Sequence, residues 1–594
     1  MQEACNIKKP LHILCCLFAA ALLLFGCDNA IQITIVSPQD GTHFTLGETV
    51  AFSGTAFDST EKELQGSSLV WTSNRDGQLA IGKSFSKSDL SAGNHTITLT
   101  ASAANSGKGS ASVQITVESG AVSSTTTTSQ NTTTTAAAQT TTTTPVAAGL
   151  FTGTVILGRP TNSSITASIL SPDTSGDVWL FYGLASGSYS GMTGMSSLQA
   201  GTPLEVPLDA LSADTQYYYR VYFRKTGETT ITATDEHSFH TARPAGSTFT
   251  FCIQGDSHPE RTKKQFDADL YTRTLRTAAS DHPDFYLTIG DDFSVDTLDP
   301  ATVTAAQVTG RYTLQLPYLT LVGCSAPLFL VNGNHEQAAR YLLDGTPDNV
   351  AVWAQNARNR YYPEPAPDSF YTGNTENIEY IGLLRNYFAW TWGDALFVTI
   401  DPYWASPACV DNPFYGGSKR TNLWDVTHGD SQYQWLKTTL EQSQAKYKFV
   451  FAHHVLGTGR GGIEEAAGYE WGGQNADGTW GFDTKRPGWK TPIHQLMAEN
   501  NVTIFFQGHD HIWVKQELDG VIYQTLSEPA DPNYSLFNSD AYTSGDKFSN
   551  TGYTRLTVSP DGIRVDYVRT FLPKDEKDGH VNGEVAYTYF VEPK

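Results

Sequence analysis

From residue 31 onward, apolar residues recur with a period of two in short runs: ITIV, TVAFSGTA, LVWTS, HTITLTASA and SVQITV. Side chains of a strand alternate between its faces, so each run predicts a strand with one buried face. Gly, Asp, Asn and Ser separate the runs, and residues 31–118 read as a β-sandwich. The pattern stops over 119–148, a Thr-rich stretch (TTTTSQNTTTTAAAQTTTTTP) with too little apolar content to pack. An extended, solvated linker is expected there. Alternation resumes over 149–243 and predicts a second sandwich. Past residue 247 the runs become continuously apolar: Thr248–Gln254, Phe285–Ile289, Leu328–Val331, Ala395–Ile400, Lys448–Ala452, Val502–Phe506 and Val521–Leu526. Helical stretches fall between them at Lys264–Ala279, Thr302–Leu321, Ser431–Gln444 and Pro492–Glu499. Buried strands alternating with helices predict a layered α/β domain over 247–594. Two late runs, Thr554–Val558 and Gly562–Val568, predict a hairpin turning at Pro560-Asp561-Gly562. The fold class is therefore multidomain: two N-terminal β-sandwiches, then an α/β domain.

Composition narrows the partners. Acidic residues outnumber basic ones, 61 to 39, for a formal charge of −22 over 594 residues. A nucleic-acid binder needs a basic face to displace counterions, so no nucleic-acid surface is expected. An anionic substrate stays possible, because bound cations reverse a local field. Cys5, Cys15, Cys16 and Cys27 lie near the N-terminus, and Cys252, Cys324 and Cys409 are widely spaced, so no disulfide framework is implied. A bridge from Cys409 to either of the other two stays open. Residues 1–26 read as a targeting segment: Lys8 and Lys9 precede an apolar region, Leu11 to Phe25, too short for a stable span. Its end, Leu24-Phe25-Gly26-Cys27, resembles the bacterial lipobox. That resemblance implies an acylated Cys27 and a membrane-anchored, extracytoplasmic lipoprotein; an ordinary signal peptide is the alternative. Asp28 leaves the membrane itself undetermined.

The chemistry sits where the α/β strands end. Gly255-Asp256-Ser257-His258 follows the first apolar run, and a carboxylate and an imidazole two residues apart form a metal half-site. Four later segments carry the same residue types: Gly290-Asp291-Asp292, Gly333-Asn334-His335-Glu336, His453-His454 and Gly508-His509-Asp510-His511. In open α/β sheets, ligands gather beyond the carboxyl ends of strands. Carboxylates and imidazoles together suit Fe, Mn or Zn.

These five segments, in this order, resemble the calcineurin-like metallophosphoesterase pattern, D-x-H, GD, GN-H-(E/D), H, GH-x-H. The resemblance implies an α/β/β/α layered domain and a pair of divalent or trivalent metal ions acting on phosphate esters. It places Asp256, His258 and His511 on the first ion, Asn334, His453 and His509 on the second, and Asp291 between them. His335 becomes the residue that donates to the phosphoryl or leaving oxygen, oriented by Asp256 or Glu336. Neighbouring side chains leaving a strand point apart, so only one of His453 and His454 should ligate; the resemblance favours His453, and the swapped roles stay open. Asp292 is expected as an outer acid or a helix cap, and Asp510 as turned away. Among Arg261, Arg340 and Arg460, the last is the best placed for phosphate if any of them is. His282, His428 and His494 carry no motif.

The preceding sandwich, with Leu208-Asp209-Ala210-Leu211 followed by Thr215 to Val221, looks like the tyrosine corner of fibronectin-type modules. That domain order resembles purple acid phosphatases. Their ferric-binding tyrosine, three residues after the bridging aspartate, is Ser294 here, so a purple ferric centre is not expected. Ser37 to Gly41 and Gly93 to Thr96 resemble bacterial Ig-like or PKD-like surface modules, with His95 a bland strand residue. The expected activity is phosphomonoester hydrolysis, with a phosphodiesterase or nucleotidase as alternative. A surface adhesin or ligand-binding lipoprotein with an inactive domain is the reading of another class. The oligomeric state and the ligand of the first sandwich stay open.

Overall fold

The structure is a computed structural model. It describes residues 31–118, apart from 39–41, 46–49, 59–61, 63, 65, 88–89 and 104–106, and residues 147–593, apart from 337, 411–421 and 458. The targeting segment, Cys27 and nearly all of the Thr-rich stretch lie outside the described residues. Contacts divide the chain into two compact units, 1–139 and 140–594.

The first unit is a sandwich. A three-stranded sheet orders Gln32–Ser37, Val50–Phe57 and Ser84–Lys87; a five-stranded sheet has Gly93–Ala103 at its centre, between Gly107–Glu118 and Leu69–Ser73. The period-two pattern is met along Gly93–Ala103, where Ile97, Leu99 and Ala101 are buried. They pack with Trp71, Phe52 and Phe85, the last two stacked at 4.4 Å. His95 belongs to this core: its Nδ1 lies 2.8 Å from Ser73 Oγ and its Nε2 2.6 Å from the Ser91 carbonyl.

The second unit opens with another sandwich. Thr154–Gly158, Ile165–Leu170 and Leu204–Leu208 form one sheet; Gly176–Gly183 and Gln216–Lys225 form the heart of the other. The Ser212 amide donates to Tyr217 Oη at 2.9 Å, the corner expected from the sequence. Tyr219 does something else. It donates from Oη to the Cys324 carbonyl at 2.6 Å, in the α/β domain. Ile156 and Leu170 are part of a core cluster otherwise made by that domain.

The α/β domain has four layers. We label its strands β1 Phe249–Gln254, β2 Phe285–Thr288, β3 Leu328–Leu330, β4 Phe388–Trp392, β5 Ala395–Thr399, β6 Tyr447–Phe451, β7 Ile504–Gln507, β8 Trp513–Leu518, β9 Val521–Thr525, β10 Gly552–Ser559, β11 Gly562–Arg569 and β12 Glu584–Val591. Its main helices are α1 Ala268–Ser280, α2 Ala305–Leu314, α3 Leu316–Gly323, α4 Val350–Tyr361, α5 Asp430–Gln442 and α6 Ile493–Glu499. One sheet runs β3-β2-β1-β10-β11-β12; the other contains β4-β5-β6-β7-β9-β8. β1, β2 and β3 are parallel, as are β5, β6, β7 and β9. Alternate residues then face alternate layers. Phe251, Phe285 and Phe329 meet Phe397, Phe449 and Phe506 between the sheets. Cys252, Tyr286 and Leu328 face α1 to α4, while Val398, Val450 and Phe505 face α5 and α6.

The long helix expected over Thr302–Leu321 is two helices, α2 and α3. Thr304 and Gln307 close α2 with a reciprocal capping box, and Pro317 sits in the first turn of α3, where its missing N–H is harmless. α1 starts at Ala268, later than the periodicity suggested, because Asp267 accepts the amides of Asp269 and Leu270. No disulfide joins Cys252, Cys324 and Cys409, which closes the question of a bridge among them.

Candidate metal centre

Five of the parallel strands hand candidate site residues to one edge. Asp256 and His258 follow β1, Asp291 follows β2, Asn334 and His335 follow β3, His453 and His454 follow β6, and His509 and His511 follow β7. All nine are buried, with exposures from 0 to 8%. Their donor atoms gather into overlapping groups: Asp256, His258 and His511; Asp256, Asp291 and His453; His258, Asp291 and His335; His453, His454 and His509.

Asp291 lies at the centre. Its Oδ1 accepts the His335 amide at 2.9 Å. Its Oδ2 faces His453 Nε2 at 3.0 Å, His335 Nε2 at 3.5 Å and His258 Nε2 at 3.8 Å. That oxygen is buried and makes no hydrogen bond, so these short approaches lack hydrogen-bond alignment. Asp256 is held by the His509 amide, at 2.9 and 3.0 Å, and lies 3.0 Å from His511 Nε2. Asn334 is buried between Gly333 and His335, and a Cβ on Gly333 would overlap Asp291 Oδ1.

The imidazoles are pinned by their far nitrogens. His453 Nδ1 sits 2.9 Å from the Ile289 carbonyl, which makes Nδ1 the N–H and turns the Nε2 lone pair inward. His511 Nδ1 lies 2.9 Å from Glu528, His258 Nδ1 3.1 Å from Ser294 Oγ, and His454 Nδ1 2.6 Å from the Tyr403 hydroxyl. Buried nitrogens without hydrogen bonds, all Nε2, remain on His258, His453 and His454. Orphaned buried polar atoms are costly, and a cation among them is what would satisfy them. The donor set therefore fits metal ions.

The carboxylates draw positive charge into the cluster. Burial would raise both aspartates, but His453 and His511 hold Asp256 down to about 2, and His335 and His453 hold Asp291 well below the carboxylate range. Burial would lower His453, yet Asp291 and Asp256 lift it to about 10. Burial drops His258 to about 4. Glu336, pushed up to about 8 by burial and by Asp291, clamps the loops: it accepts the amides of Asp292, Phe293 and Gly333 at 2.8, 3.1 and 2.7 Å.

Several expectations shift. His453 and His454 do not diverge: β6 ends at Phe451 and the chain bends, so both rings stay with His509, His454 stacked on it at 3.9 Å. Neither Asp256 nor Glu336 orients His335, since other donors occupy both. Asp296 does, at 2.8 Å from Nδ1, from a short turn five residues past Asp291. Asp292 accepts from Ser257 Oγ at 2.6 Å and caps no helix. Asp510 turns away and captures Arg460, which also donates to the His509 carbonyl; Arg460 serves the backbone there, not a phosphate. Arg340 pairs with Glu376 at the surface. The arginine at the site is Arg261, with Nη2 3.2 Å from His335 Nε2. Asp296, Glu528 and Glu260, the last with Oε1 3.4 Å from His258 Nδ1, left no motif to read. His282, His428 and His494 stand outside these groups.

Buried carboxylates and imidazoles gather at the carboxyl edge of a layered α/β domain. Residues 249–513 match the profile of the calcineurin-like phosphoesterase family; the chain carries that family's domain and is a metal-dependent phosphoric ester hydrolase. No match was found among curated proteins. Among solved structures, PhoD is similar over 76% of this chain and 90% of its own, at 14% identity and a TM-score of 0.51. A putative 5'-nucleotidase from Staphylococcus aureus aligns over 58% of this chain and 54% of its own, at 13% identity and a TM-score of 0.27. Fibronectin(III)-like modules of Clostridium thermocellum CbhA align over 15% of this chain and 98% of their own, at 17% identity and a TM-score of 0.13.

Proposed function

We propose that this chain hydrolyses phosphate monoesters at a two-ion centre outside the cytoplasm, anchored through Cys27. The observation that carries the hydrolytic reading is Asp291 Oδ2, a buried oxygen shared between the His258 and His453 sides of one cluster. Asp256, His258 and His511 would hold one ion, Asn334, His453 and His509 the other, and Asp291 both. Ions of Fe, Mn or Zn, when bound, acidify water and hold the attacking and leaving oxygens in line. The chain does the rest. Glu336 fixes the loops that carry Asp291 and Asn334. His335, held through Nδ1 by Asp296, presents Nε2 to the phosphoryl group and delivers a proton to the departing oxygen. Arg261, beside Nε2, adds a positive charge where the phosphoryl oxygens gather.

The test is Asp291→Asn in the whole chain, with turnover and bound transition metal measured together. Loss of nearly all turnover with reduced metal is expected; unchanged turnover refutes the centre. Parallel assays with a monoester and a bis-ester reporter separate monoesterase from diesterase. Acyl labelling that survives Cys27→Ala would remove the anchor.

A further inference from the structure

Two large apolar side chains stand in water beside the metal centre. Leu536 is 51% exposed and Phe537 44%. They ride the loop that leaves the carboxyl end of β9, on the same sheet edge as His509 and His511. The Phe537 ring stacks on the His511 imidazole, with centroids 5.6 Å apart and planes 29° from parallel. The loop is built, not loose. Asn538 Nδ2 donates to the Asp510 carbonyl at 3.1 Å, the Asn550 amide to the Ser535 carbonyl at 3.0 Å, and Asn533 Nδ2 to the Lys264 carbonyl at 2.8 Å. That last bond joins it to the segment bearing Arg261 and Gln265. Gln265 Nε2 lies 3.2 Å from His511 Nδ1, and Arg261 Nη1 2.7 Å from Gln265 Oε1. One continuous wall thus presents a cation near His335 at one end and an aromatic face beyond His511 at the other.

Exposed apolar patches at a polar site mark a surface that something else covers. An ester whose phosphoryl group sat at Asp291 and His335 would have this wall beside its organic part. A polyol gains less from the phenyl face than a flat ring, which stacks on it. We infer that Leu536 and Phe537 form the subsite for the alcohol portion of the substrate, and that this portion carries a flat ring, aryl or nucleobase. The inference rests on the phosphomonoester reading above and narrows its substrate class.

The test uses the whole metal-loaded chain with three monoesters: phenyl phosphate, adenosine 5'-monophosphate and glycerol phosphate. In Phe537→Ala, KM for a ring-bearing ester is expected to rise about tenfold with kcat within about twofold, a stacking contribution's worth. That rise should exceed any change seen for glycerol phosphate, and Phe537→Trp should restore the ring preference. The ring-bearing ester with the larger KM change identifies the source, aryl or nucleotide. Equal changes on all three esters, or none, overturn the subsite. If the unmodified chain turns over no ester, the hydrolase reading fails, and binding decides separately. Phenylphosphonate should then outbind methylphosphonate by about tenfold, a preference lost in Phe537→Ala; the absence of that preference overturns the subsite by itself.

Discussion

At the scale of single residues, the site is held in backbone conformations that side chains avoid. His258, Asp291, His509 and His511 have φ of 43°, 58°, 65° and 55°. Non-glycine residues in the left-handed region cost on the order of 1 kcal/mol or more each, and persist only where surroundings over-determine them. Here the surroundings are the amide clamps on Glu336, Asp256 and Asp291. Gly333 shows how tight this is, because a Cβ there would run into Asp291 Oδ1, the Asp291 amide nitrogen and Glu336. Gly333→Ala is therefore expected to lower stability by about 1–3 kcal/mol and to reduce metal content, read by denaturant titration and metal analysis. Asp296 touches His335 and none of the proposed ligands' donor atoms. Asp296→Asn is expected to cut kcat by about ten- to a hundredfold with metal content unchanged; parallel loss of metal would place Asp296 in the centre itself.

At the scale of elements, the loop carrying Asn334 is braced from behind. Arg358 of α4, fully buried, donates to the Leu330 carbonyl at 2.7 Å and to Asn332, and lies 3.4 Å from Glu364. Burial pushes the Glu364 carboxyl up to about 7, against the pull of Arg358. A raised folded-state value means the native chain holds this proton more tightly than the unfolded one. Its contribution is fully present below the ordinary value of 4.5 and is lost as pH climbs through about 7. Comparing wild type with Glu364→Gln from pH 4.5 to 8 should reveal a relative loss of wild-type stability on the order of 3 kcal/mol.

The elements also mark what the sequence made legible. β1, β2, β3, β6 and β7 were readable because a strand buried on both faces is apolar throughout, and each ends in a Gly-Asp, Gly-Asn or histidine-bearing turn. α4 was not, since its VAVWAQNARNRY mixes β-branched, aromatic and polar residues without a clean stripe. β8 and β12 follow polar turns and alternate too weakly to stand out. The aspartates and histidines that the fold gathers were legible from strand ends alone. Their partners were not: Asp296, Glu528 and Glu260 come from loops whose path only the packed sheets determine.

At the scale of the molecule, the chain's two compact units and its three folded modules do not coincide. The second sandwich shares a core with the α/β domain through Ile156 and Leu170, and is tied to it by Tyr219 and by the Val155–Thr320 bonds at 2.9 and 3.0 Å. Residues 140–594 are expected to retain kcat/KM within about twofold of the whole chain. Removing the second sandwich as well, to leave 247–594, uncovers the apolar seam, and melting should fall by about 5 °C or more in a thermal scan.

That shared seam gives chain order a meaning during synthesis. The sandwich is complete by residue 240, before the ribosome has made any of β1, and α3 is translated some eighty residues later. When α3 emerges, its docking surface already exists, with Tyr219 waiting for the carbonyl that ends it. The catalytic half is thus born onto a finished template, and a lesion in the sandwich would surface as a failure of nascent enzyme to mature.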